Sequence, residues 1–470
     1  MIRLSPKYWY HHFHRHKEQQ GGLYNLLVKS AFALTFTSAL SYGLGLVRDR
    51  TFATVFGASA ELDVYNATFV VPDLFLALFV TGALSAAFVP LFTRLDDQDP
   101  EDGLRYINQM LSFMLTALLI VSVLFAFFLP SLTDFLIPGF DAEQTQLYIK
   151  LTRLMLISPL IFTLSNTFGN VLISKREFLW YGLAPVMYNL GIILGAFLLV
   201  PSMGISGLVI GTVLGALLHL FIRLPMVFRT GFRPQLCYRF DEPMKETLEL
   251  MAPKVLQIGM WQVLLWWFIR SASQLEEGSV TIYSFARNFQ SVPVSLIGIA
   301  LALSAFSTLS HLASHQHFED FKVTLISKAK SIFLLTTLGA LALASSSHWL
   351  IGFLFGGGKF GPEAISTTAA VLTVYCLSIP LESLMHLLAR AHYALKHTLA
   401  PSFIHIGSIA IIMISTSWLL DSQGIFAIPL SFTLGLFVQV IALTISLRIL
   451  YRKRHEHFSG LSGIIHSDEL

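Results

Sequence analysis

The chain has 470 residues, of which 54% are hydrophobic and 13% are charged, with a net charge of +3. Soluble domains devote about a quarter of their residues to charge, so this composition excludes a soluble enzyme, and the high hydrophobicity excludes a disordered chain. Two cysteines, Cys237 and Cys376, are too few for a disulfide framework. The remaining class is a polytopic membrane protein. A spanning helix needs about 20 apolar residues, so the length allows roughly a dozen spans.

Twelve apolar runs predict membrane-spanning helices, and a polar, basic and aromatic segment at residues 1–25 precedes them. No small-residue cleavage site follows the first run, so we interpret it as a membrane helix and not as a signal peptide. Several runs exceed the minimum length, which predicts tilted or broken helices. The predicted spans are 26–47, 62–92, 106–129, 149–173, 179–200, 203–228, 248–273, 279–309, 327–355, 364–392, 398–420 and 424–449.

Lysine and arginine are absent from alternate connections between these runs, and this pattern predicts the orientation. The connections without them lie near 130–145, 201–204, 274–278 and 420–424. Because cytoplasmic loops are enriched in lysine and arginine, we predict that both termini lie in the cytoplasm. Lys359 breaks this rule in a glycine-rich turn, and Arg48 and Arg50 break it at the outer end of the first span. These two arginines are therefore candidates for function, or for a local ion pair with Asp49.

The predicted spans divide into two sets of six, and an even number returns the chain to the same side, so the halves would be parallel repeats. Arg48 precedes Pro72 by 24 positions, and Arg270 precedes Pro293 by 23. We predict two six-helix lobes around a central cavity with a substrate site near mid-membrane. The predicted parts are a tail at 1–25, an N-lobe at 26–228, a cytoplasmic connector at 229–247, a C-lobe at 248–450 and a tail at 451–470.

Charged residues inside the predicted spans mark the candidate site, because a charge at mid-membrane costs about 3 kcal/mol. Cations outnumber anions in the first, second, seventh and eighth spans. This excess predicts a cavity that the protein leaves cationic, which would bind a phosphate or pyrophosphate through paired arginine hydrogen bonds. Alternatively, the charges pair with one another and hold the lobes together. The cations are Arg48, Arg50, Lys254, Arg270 and Arg287, and the anions are Asp49, Asp63 and Asp73.

Other polar motifs carry less information. Glu382 and His386 lie four residues apart on one helix face, a spacing that permits a proton relay and equally a static hydrogen bond. The sequence GGGKF at 356–360 lacks the spacing of a phosphate-binding loop, so we interpret it as a turn. We find no ATPase motif, nucleophile set, metal-ligand spacing or nucleic-acid signature. We therefore predict a transporter and not an enzyme, without cofactor or metal, driven by an ion gradient or the membrane potential.

The segment SYGLGLVRDRTFATVFGASAELDVYNATFVVPDLFLALFVTGALSAAFVPLF at 41–92 resembles the amino-terminal signature of the MurJ/MviN family. Residues 283–310 resemble the eighth helix of that family, and LFGGGKF at 354–360 resembles its ninth-to-tenth loop. The similarity extends over about residues 25 to 450. The signature residues are Arg48, Asp49, Phe56, Gly57, Asp63, Pro72, Gly82, Ala83, Leu84, Ser85, Ala87, Phe88, Val89 and Pro90.

The resemblance implies the fold of the multidrug/oligosaccharidyl-lipid/polysaccharide exporter superfamily. It also implies a lipid II flippase of cell-wall biosynthesis, acting by alternating access in the bacterial cytoplasmic (inner) membrane. The expected partners are a lipid-linked glycan substrate, membrane lipids and cell-wall synthesis proteins. Arg48 would bind the pyrophosphate, with Arg287 and either Lys254 or Arg270 as further ligands. The expected supporting or gating residues are Asp49, Arg50, Asp63, Pro72 and Pro293.

The chain also departs from the family pattern. The arginine of the first helix in the family is Tyr42 here, and an arginine and a glutamate of the second helix are Leu76 and Thr81. The Asp-Arg pair of the eighth helix is Arg287-Asn288. The family usually has fourteen helices, whereas this sequence predicts about twelve. The eleventh and twelfth predicted spans contain no acidic residue, so we expect no sodium site of the kind found in some relatives.

Two alternatives remain open from the sequence. The departures from the family pattern are typical of an exporter of the same fold that carries another polyprenyl-linked glycan or an amphipathic compound. A non-transporting membrane scaffold that recruits partners through its basic termini would also keep the fold while losing charges from its cavity.

Overall fold

The computed structural model describes residues 32–81 and 88–465, which form helices joined by short turns, with no strand among those residues. The prediction of an all-α fold is confirmed. The predicted tail at 1–25, the end of the chain from 466 and the Gly82–Ala87 part of the family signature lie outside the described residues.

The N-terminal half contains a series of helices that end at the turn after Arg229. They are α1 (32–55), α2 (Ala60–Ala67), α3 (Val70–Phe75), α4 (Val89–Gln98), α5 (Pro100–Leu136), α6 (Ala142–Met155), α7 (Ile157–Ser174), α8 (Phe178–Leu198), α9 (Val200–Met203), α10 (Ile205–Phe221) and α11 (Leu224–Arg229).

The C-terminal half follows an irregular connection. Its helices are α12 (Glu242–Ala272), α13 (Ser279–Pro293), α14 (Ala300–Ser314), α15 (Phe318–Phe355), α16 (Pro362–Tyr375), α17 (Ser378–Ala394), α18 (Leu399–Gln423) and α19 (Ala427–Ile465).

Nine helical segments of the described residues are long and apolar enough to cross a membrane. One of them, Leu399–Arg452, joins α18 and α19 through a 3-10 turn at Gly424–Phe426 and covers two of the predicted spans. The predicted first and seventh spans fall on α1 and α12. The helices therefore lie where the apolar runs predicted them, while the number of membrane crossings stays a prediction.

Two of the predicted long spans change from α-helix to a π-helical turn close after a proline, one in each half of the chain. Pro72 lies in α3, which continues into a π-helical turn at Leu76–Thr81. Pro293 ends α13, and a π-helical turn at Val294–Ile299 follows it. Proline lacks a backbone donor, and a wider turn lets the helix continue past that loss. The sequence predicted that over-long spans would be tilted or broken. At these two prolines the helix widens locally and continues.

The described residues group into two compact units. The first unit contains the chain up to Thr51 together with Val71–Phe127 and Leu151–Val255. The second unit contains Phe52–Val70, Phe128–Lys150 and the chain from Leu256 onward. Two short segments of the N-terminal half thus pack within the second unit. The lobe boundaries at 228 and 248, drawn from the sequence repeat, stay predictions.

Glycines allow a close contact between α8 and α10 in the first unit. A Cβ atom added to Gly195 would lie 2.3 Å from the Cα atom of Gly211, and one added to Gly191 would lie 2.3 Å from the Cα atom of Gly215. Small residues let membrane helices approach closely, which is a main source of their association. This contact fixes α8, which carries a residue of the candidate site.

Candidate functional site

The Arg48 side chain lies on α1 in the first unit, where a carboxylate and an amide hold it. Its Nε and Nη2 atoms donate to Oδ1 of Asp49 at 2.9 and 2.7 Å. Its Nη1 atom donates to Oδ1 of Asn189 on α8 at 3.0 Å. Asn189 in turn donates to the hydroxyl of Ser41 at 3.3 Å. The Arg48 side chain keeps 26% of its surface exposed, so its charge is oriented by the protein and still accessible.

The Arg287 side chain lies on α13 in the second unit and is more enclosed. Its Nη2 atom is 3.2 Å from Oε1 of Glu382 on α17. Gln290 accepts a hydrogen bond from Arg287 and donates one to Oε2 of Glu382 at 2.8 Å. The guanidinium also lies over the rings of Trp261 and Phe432, at 5.8 and 5.0 Å from their centroids. Residues from four helices therefore surround this ion pair.

The expectation that the protein leaves these cations unneutralised is wrong for Arg48 and Arg287. Each has a carboxylate partner within its own unit. The physical reason is the cost of burying an unpaired ion, which is several kcal/mol even after relaxation. The number of charges in each span does not show which carboxylate reaches which arginine.

The two cations of α12 have different positions. Arg270, near the end of the helix, donates to the backbone carbonyls of Asp134 and Phe135. Its guanidinium also lies 5.7 Å from the ring centroids of Phe135 and Trp267. These carbonyls belong to the last turn of α5, whose negative dipole end favours a cation. Lys254 lies within α12, but its side chain is outside the described residues. Arg50 is exposed, one residue beyond Asp49 on α1.

Asp63 is buried and caps a helix. Its carboxylate accepts hydrogen bonds from the backbone N–H of Gly278 and from the backbone N–H and hydroxyl of Thr281, each at 2.7 Å. These donors form the N-terminal turn of α13, where the positive end of the helix dipole favours an anion. Asp63, which the sequence assigned as a pairing or gating acid, thus binds a helix end.

The glycine-rich sequence at 356–360 forms a turn, as predicted, and packs beside the same region. The N–H of Lys359 donates to the carbonyl of Thr54 at 3.0 Å. Gly57 has a φ of +71°, and a Cβ atom there would lie 2.5 Å from the carbonyl oxygen of Lys359. We call these contacts, together with those of Asp63 to Gly278 and Thr281, the Asp63 clasp. The clasp joins residues 54–63 to α13 and to the 357–360 turn within the second unit.

Several neutral residues of these networks carried no signal in the sequence analysis, which searched for charges. They are Asn189, Gln290, Thr281 and Ser378, the last of which accepts from Gln290 at 2.9 Å. The three-residue helical spacing of Gln290 from Arg287 could have indicated a neighbour on the same face. Glu382 binds Arg287 and Gln290, so one half of the suggested Glu382–His386 pair belongs to a static network. The proton relay stays a prediction.

The chain resembles known proteins over most of its length. The family model described as lipid II flippase MurJ matches residues 52–464. A probable lipid II flippase MurJ from Thermotoga maritima is 29% identical over 382 residues, which are 80% of this chain and 76% of the relative. The lipid II flippase MurJ of Burkholderia cenocepacia is 27% identical and covers 90% of this chain and 83% of its own length.

Solved structures show the same fold. A lipid II flippase MurJ in an inward closed conformation superposes with a TM-score of 0.77 at 22% identity, covering 93% of both chains. An inward-facing multidrug resistance MATE family transporter of the MOP superfamily gives a TM-score of 0.75 at 15% identity, covering 88% of this chain and 95% of that one. With its apolar helices, the chain is a multi-pass protein of the bacterial inner membrane. The resemblance found in the sequence is confirmed, and the chain belongs to the lipid II flippase MurJ family.

Proposed function

We propose that this chain moves lipid II, the lipid-linked cell-wall precursor, across the inner membrane by alternating access. The observation that carries the proposal is the family match over residues 52–464. The fold shared with transporters of the MOP superfamily supports it. The substrate would be a lipid carrying a pyrophosphate-linked glycan, and the membrane lipids would surround its tail.

The geometry of Arg48 supports a role in headgroup binding. Asp49 and Asn189 fix its guanidinium in orientation while leaving part of it accessible. A pyrophosphate oxygen could replace Asp49 as the acceptor, so that one charge-assisted hydrogen bond is exchanged for another. Asp49 would then hold Arg48 in position when no substrate is bound.

Arg287 would act differently, because Glu382 and Gln290 enclose it. We assign it a role within the second unit, where the intact pair with Glu382 holds α13 against α17. Arg270 binds the end of α5, so Lys254 is the better candidate on α12 for a further ligand.

Gating would involve the Asp63 clasp and the two π-helical turns. We infer from the distribution of lysine and arginine that the clasp faces the periplasm, with both termini in the cytoplasm. Opening that side would release Asp63 from the N-terminus of α13. The turns after Pro72 and Pro293 would absorb the bending. With no ATPase motif in the sequence, the energy would come from an ion gradient or the membrane potential.

Complementation of a flippase-depleted bacterial strain, combined with an assay of lipid II exposed in the outer leaflet, tests the proposal. The wild-type chain should restore growth and lipid II exposure, and Arg48→Ala should restore neither. Arg94→Ala is the matched control, because Arg94 forms an exposed ion pair with Glu246 at 2.7 Å. Failure of the wild-type chain to expose lipid II would contradict the flippase proposal. Full function of Arg48→Ala would contradict the role of Arg48.

One observation favours a second candidate, an exporter of another polyprenyl-linked glycan. The positions of two arginines in the family pattern are Tyr42 and Leu76 here, so a headgroup would meet fewer cations from the first two helices. Reconstituted protein that moves a different polyprenyl-pyrophosphate glycan, and leaves lipid II in place, would select this alternative.

A further inference from the structure

The connection between α11 and α12 follows the surface of α5 as an extended strap, which we define as residues 232–241. Asn108 on α5 donates to the carbonyl of Arg233 at 3.2 Å and accepts from the N–H of Gln235 at 2.9 Å. Ser112, one turn along α5, accepts from the N–H of Cys237 at 2.8 Å. Side chains of α5 thus form hydrogen bonds with the backbone of the strap at alternate residues, as a neighbouring strand would do in a sheet.

The tip of the strap reaches furthest along α5 at Tyr238. Its hydroxyl lies 2.8 Å from that of Thr116, and its ring packs 5.9 Å from Phe113. The chain then turns back, because Asp241 accepts a hydrogen bond from Gln109 at 2.7 Å. The strap is therefore anchored at both ends, with its tip held against Thr116.

The position of Thr116 places this tip at the edge of the hydrocarbon. The sequence between Thr116 and Asp134 contains no charged residue. At 1.5 Å per residue, that helical segment is about 27 Å long, which is close to the hydrocarbon thickness of about 30 Å. The charge-free run begins earlier, at Tyr106, but its first turns carry Asn108, Gln109 and Ser112, whose polar side chains bind the strap. The apolar layer therefore begins near Thr116, and Tyr238 lies at the same level.

The strap covers a stripe of α5 that continues as an outward-facing surface. Phe113 and Thr116 are followed at helical spacing by Ile120, Val123 and Phe127. Each of these three apolar residues is more than half exposed. In a membrane protein, such exposed apolar side chains on a spanning helix face lipid. The strap tip lies on the same stripe, so it faces the same lipid at the headgroup level.

The composition of the strap fits that location. Leu236, Tyr238 and Phe240 alternate along it and are 79%, 57% and 62% exposed. Arg233 and Arg239 are exposed as well, and residues 229–240 contain no aspartate or glutamate. Asp241 lies 3.9 Å from Arg239 and also binds Gln109. Aromatic residues beside cations are typical of segments that bind an anionic membrane surface.

We infer that the strap is a lipid-binding anchor, in which Leu236, Tyr238 and Phe240 enter the interfacial layer of one leaflet while Arg233 and Arg239 bind anionic phospholipid phosphates. The segment that joins the two halves of the chain is then held by the bilayer as well as by α5. Two observations favour an anionic lipid surface as the partner of the strap. The strap is continuous with the exposed apolar stripe of α5, and residues 229–240 carry positive charge without an acidic residue.

Depth-dependent fluorescence quenching in the full-length protein tests this inference. The Cys237→Ser chain removes the partly exposed cysteine and leaves the buried Cys376. In this background, Leu236→Cys is labelled with a polarity-sensitive fluorophore and reconstituted into nanodiscs of phosphatidylcholine and phosphatidylglycerol with spin-labelled lipids. Ile120→Cys serves as the hydrocarbon control, and Asp97→Cys, exposed on α4, serves as the aqueous control.

The label at position 236 should emit further to the blue than the label at 97. A lipid with its spin label near the headgroup should quench the fluorophore at 236 more than a lipid with its spin label near the end of the acyl chain. The fluorophore at 120 should show the reverse order. Emission and quenching equal to those at 97 would overturn the inference, because the strap would then lie in water. A signal that depends on protein concentration, without quenching by lipid, would also overturn it and would indicate a second copy.

The charge component is tested separately with Arg233→Gln and Arg239→Gln combined in the Leu236→Cys chain. Quenching should fall in discs that contain phosphatidylglycerol and stay unchanged in discs of phosphatidylcholine alone. The same quenching with and without the arginines in both lipids would overturn the assignment of anionic headgroups.

Discussion

Arg48 and Arg287 are two arginines with one carboxylate each, and the surroundings of the two pairs differ. Asp49 is the sequence neighbour of Arg48, and the Arg48 side chain is 26% exposed. Glu382 comes from a different helix than Arg287, and Gln290 and two aromatic rings close the site around the guanidinium. An accessible pair can exchange its partner for a ligand at low cost. Removing either partner of an enclosed pair leaves the other charge buried without a counterion, which strongly destabilises the protein.

The protein therefore holds the two arginines in different ways, although the residue type is the same. The Arg48 guanidinium is fixed in orientation and stays partly exposed. The Arg287 guanidinium links α13 to α17 through its enclosed pair with Glu382. Four variants of these networks test this difference.

Glu382→Ala should have the largest effect on stability. Removing the carboxylate leaves the Arg287 charge buried without its partner, which costs about 3–5 kcal/mol in comparable pairs. The free energy of unfolding in mixed detergent micelles measures this loss, and Glu363→Ala on the exposed first turn of α16 is the control. A loss no larger than that of the control would show that the pair is not enclosed in the membrane.

The double variant Arg287→Leu with Glu382→Leu separates the effect of the ion pair on stability from any role of Arg287 in transport. Replacing a buried ion pair by apolar residues is often neutral for stability, so this chain should recover most of the stability lost in Glu382→Ala. It should still fail in the lipid II exposure assay if Arg287 contributes to the headgroup site. Recovery of both stability and exposure would reduce Arg287 to a packing residue.

Asp63→Ala should have an intermediate effect. It leaves the buried N–H groups of Gly278 and Thr281 without their acceptor, which costs about 2 kcal/mol for a lost helix cap. The same unfolding measurement applies, with Glu61→Ala as the control because Glu61 is exposed on the same helix. An unchanged stability would mean that the Asp63 clasp is open in the purified protein.

Asn189→Ala should have the smallest effect of the series. It removes one neutral acceptor from Arg48 and leaves Asp49 in place, so we expect a loss of about 1 kcal/mol. Asn170→Ala is the control, since its amide binds the carbonyl of Asn166 within α7. A loss as large as that of Glu382→Ala would erase the distinction between an accessible and an enclosed arginine.

Much of the fold could be predicted from the sequence. The apolar runs located the helices, because a backbone in lipid must satisfy its hydrogen bonds internally and does so as helices. Proline removes a backbone donor, but this alone did not locate the π-helical turns, because turns follow Pro72 and Pro293 whereas Pro130 and Pro185 lie inside regular α-helices. The signature around Arg48 and Asp49 identified the family, since that resemblance depends on the order of residues alone.

The tertiary structure alone decided the partners of the charges. Arg287 and Glu382 are 95 positions apart, and Asp63 and Thr281 are 218 positions apart. Hydropathy reports how apolar each segment is, whereas a buried polar contact depends on which helix faces meet. The strap shows the same limit, because its ten residues are too few for a membrane span, and only its contacts with Asn108, Ser112 and Thr116 place it beside the apolar layer.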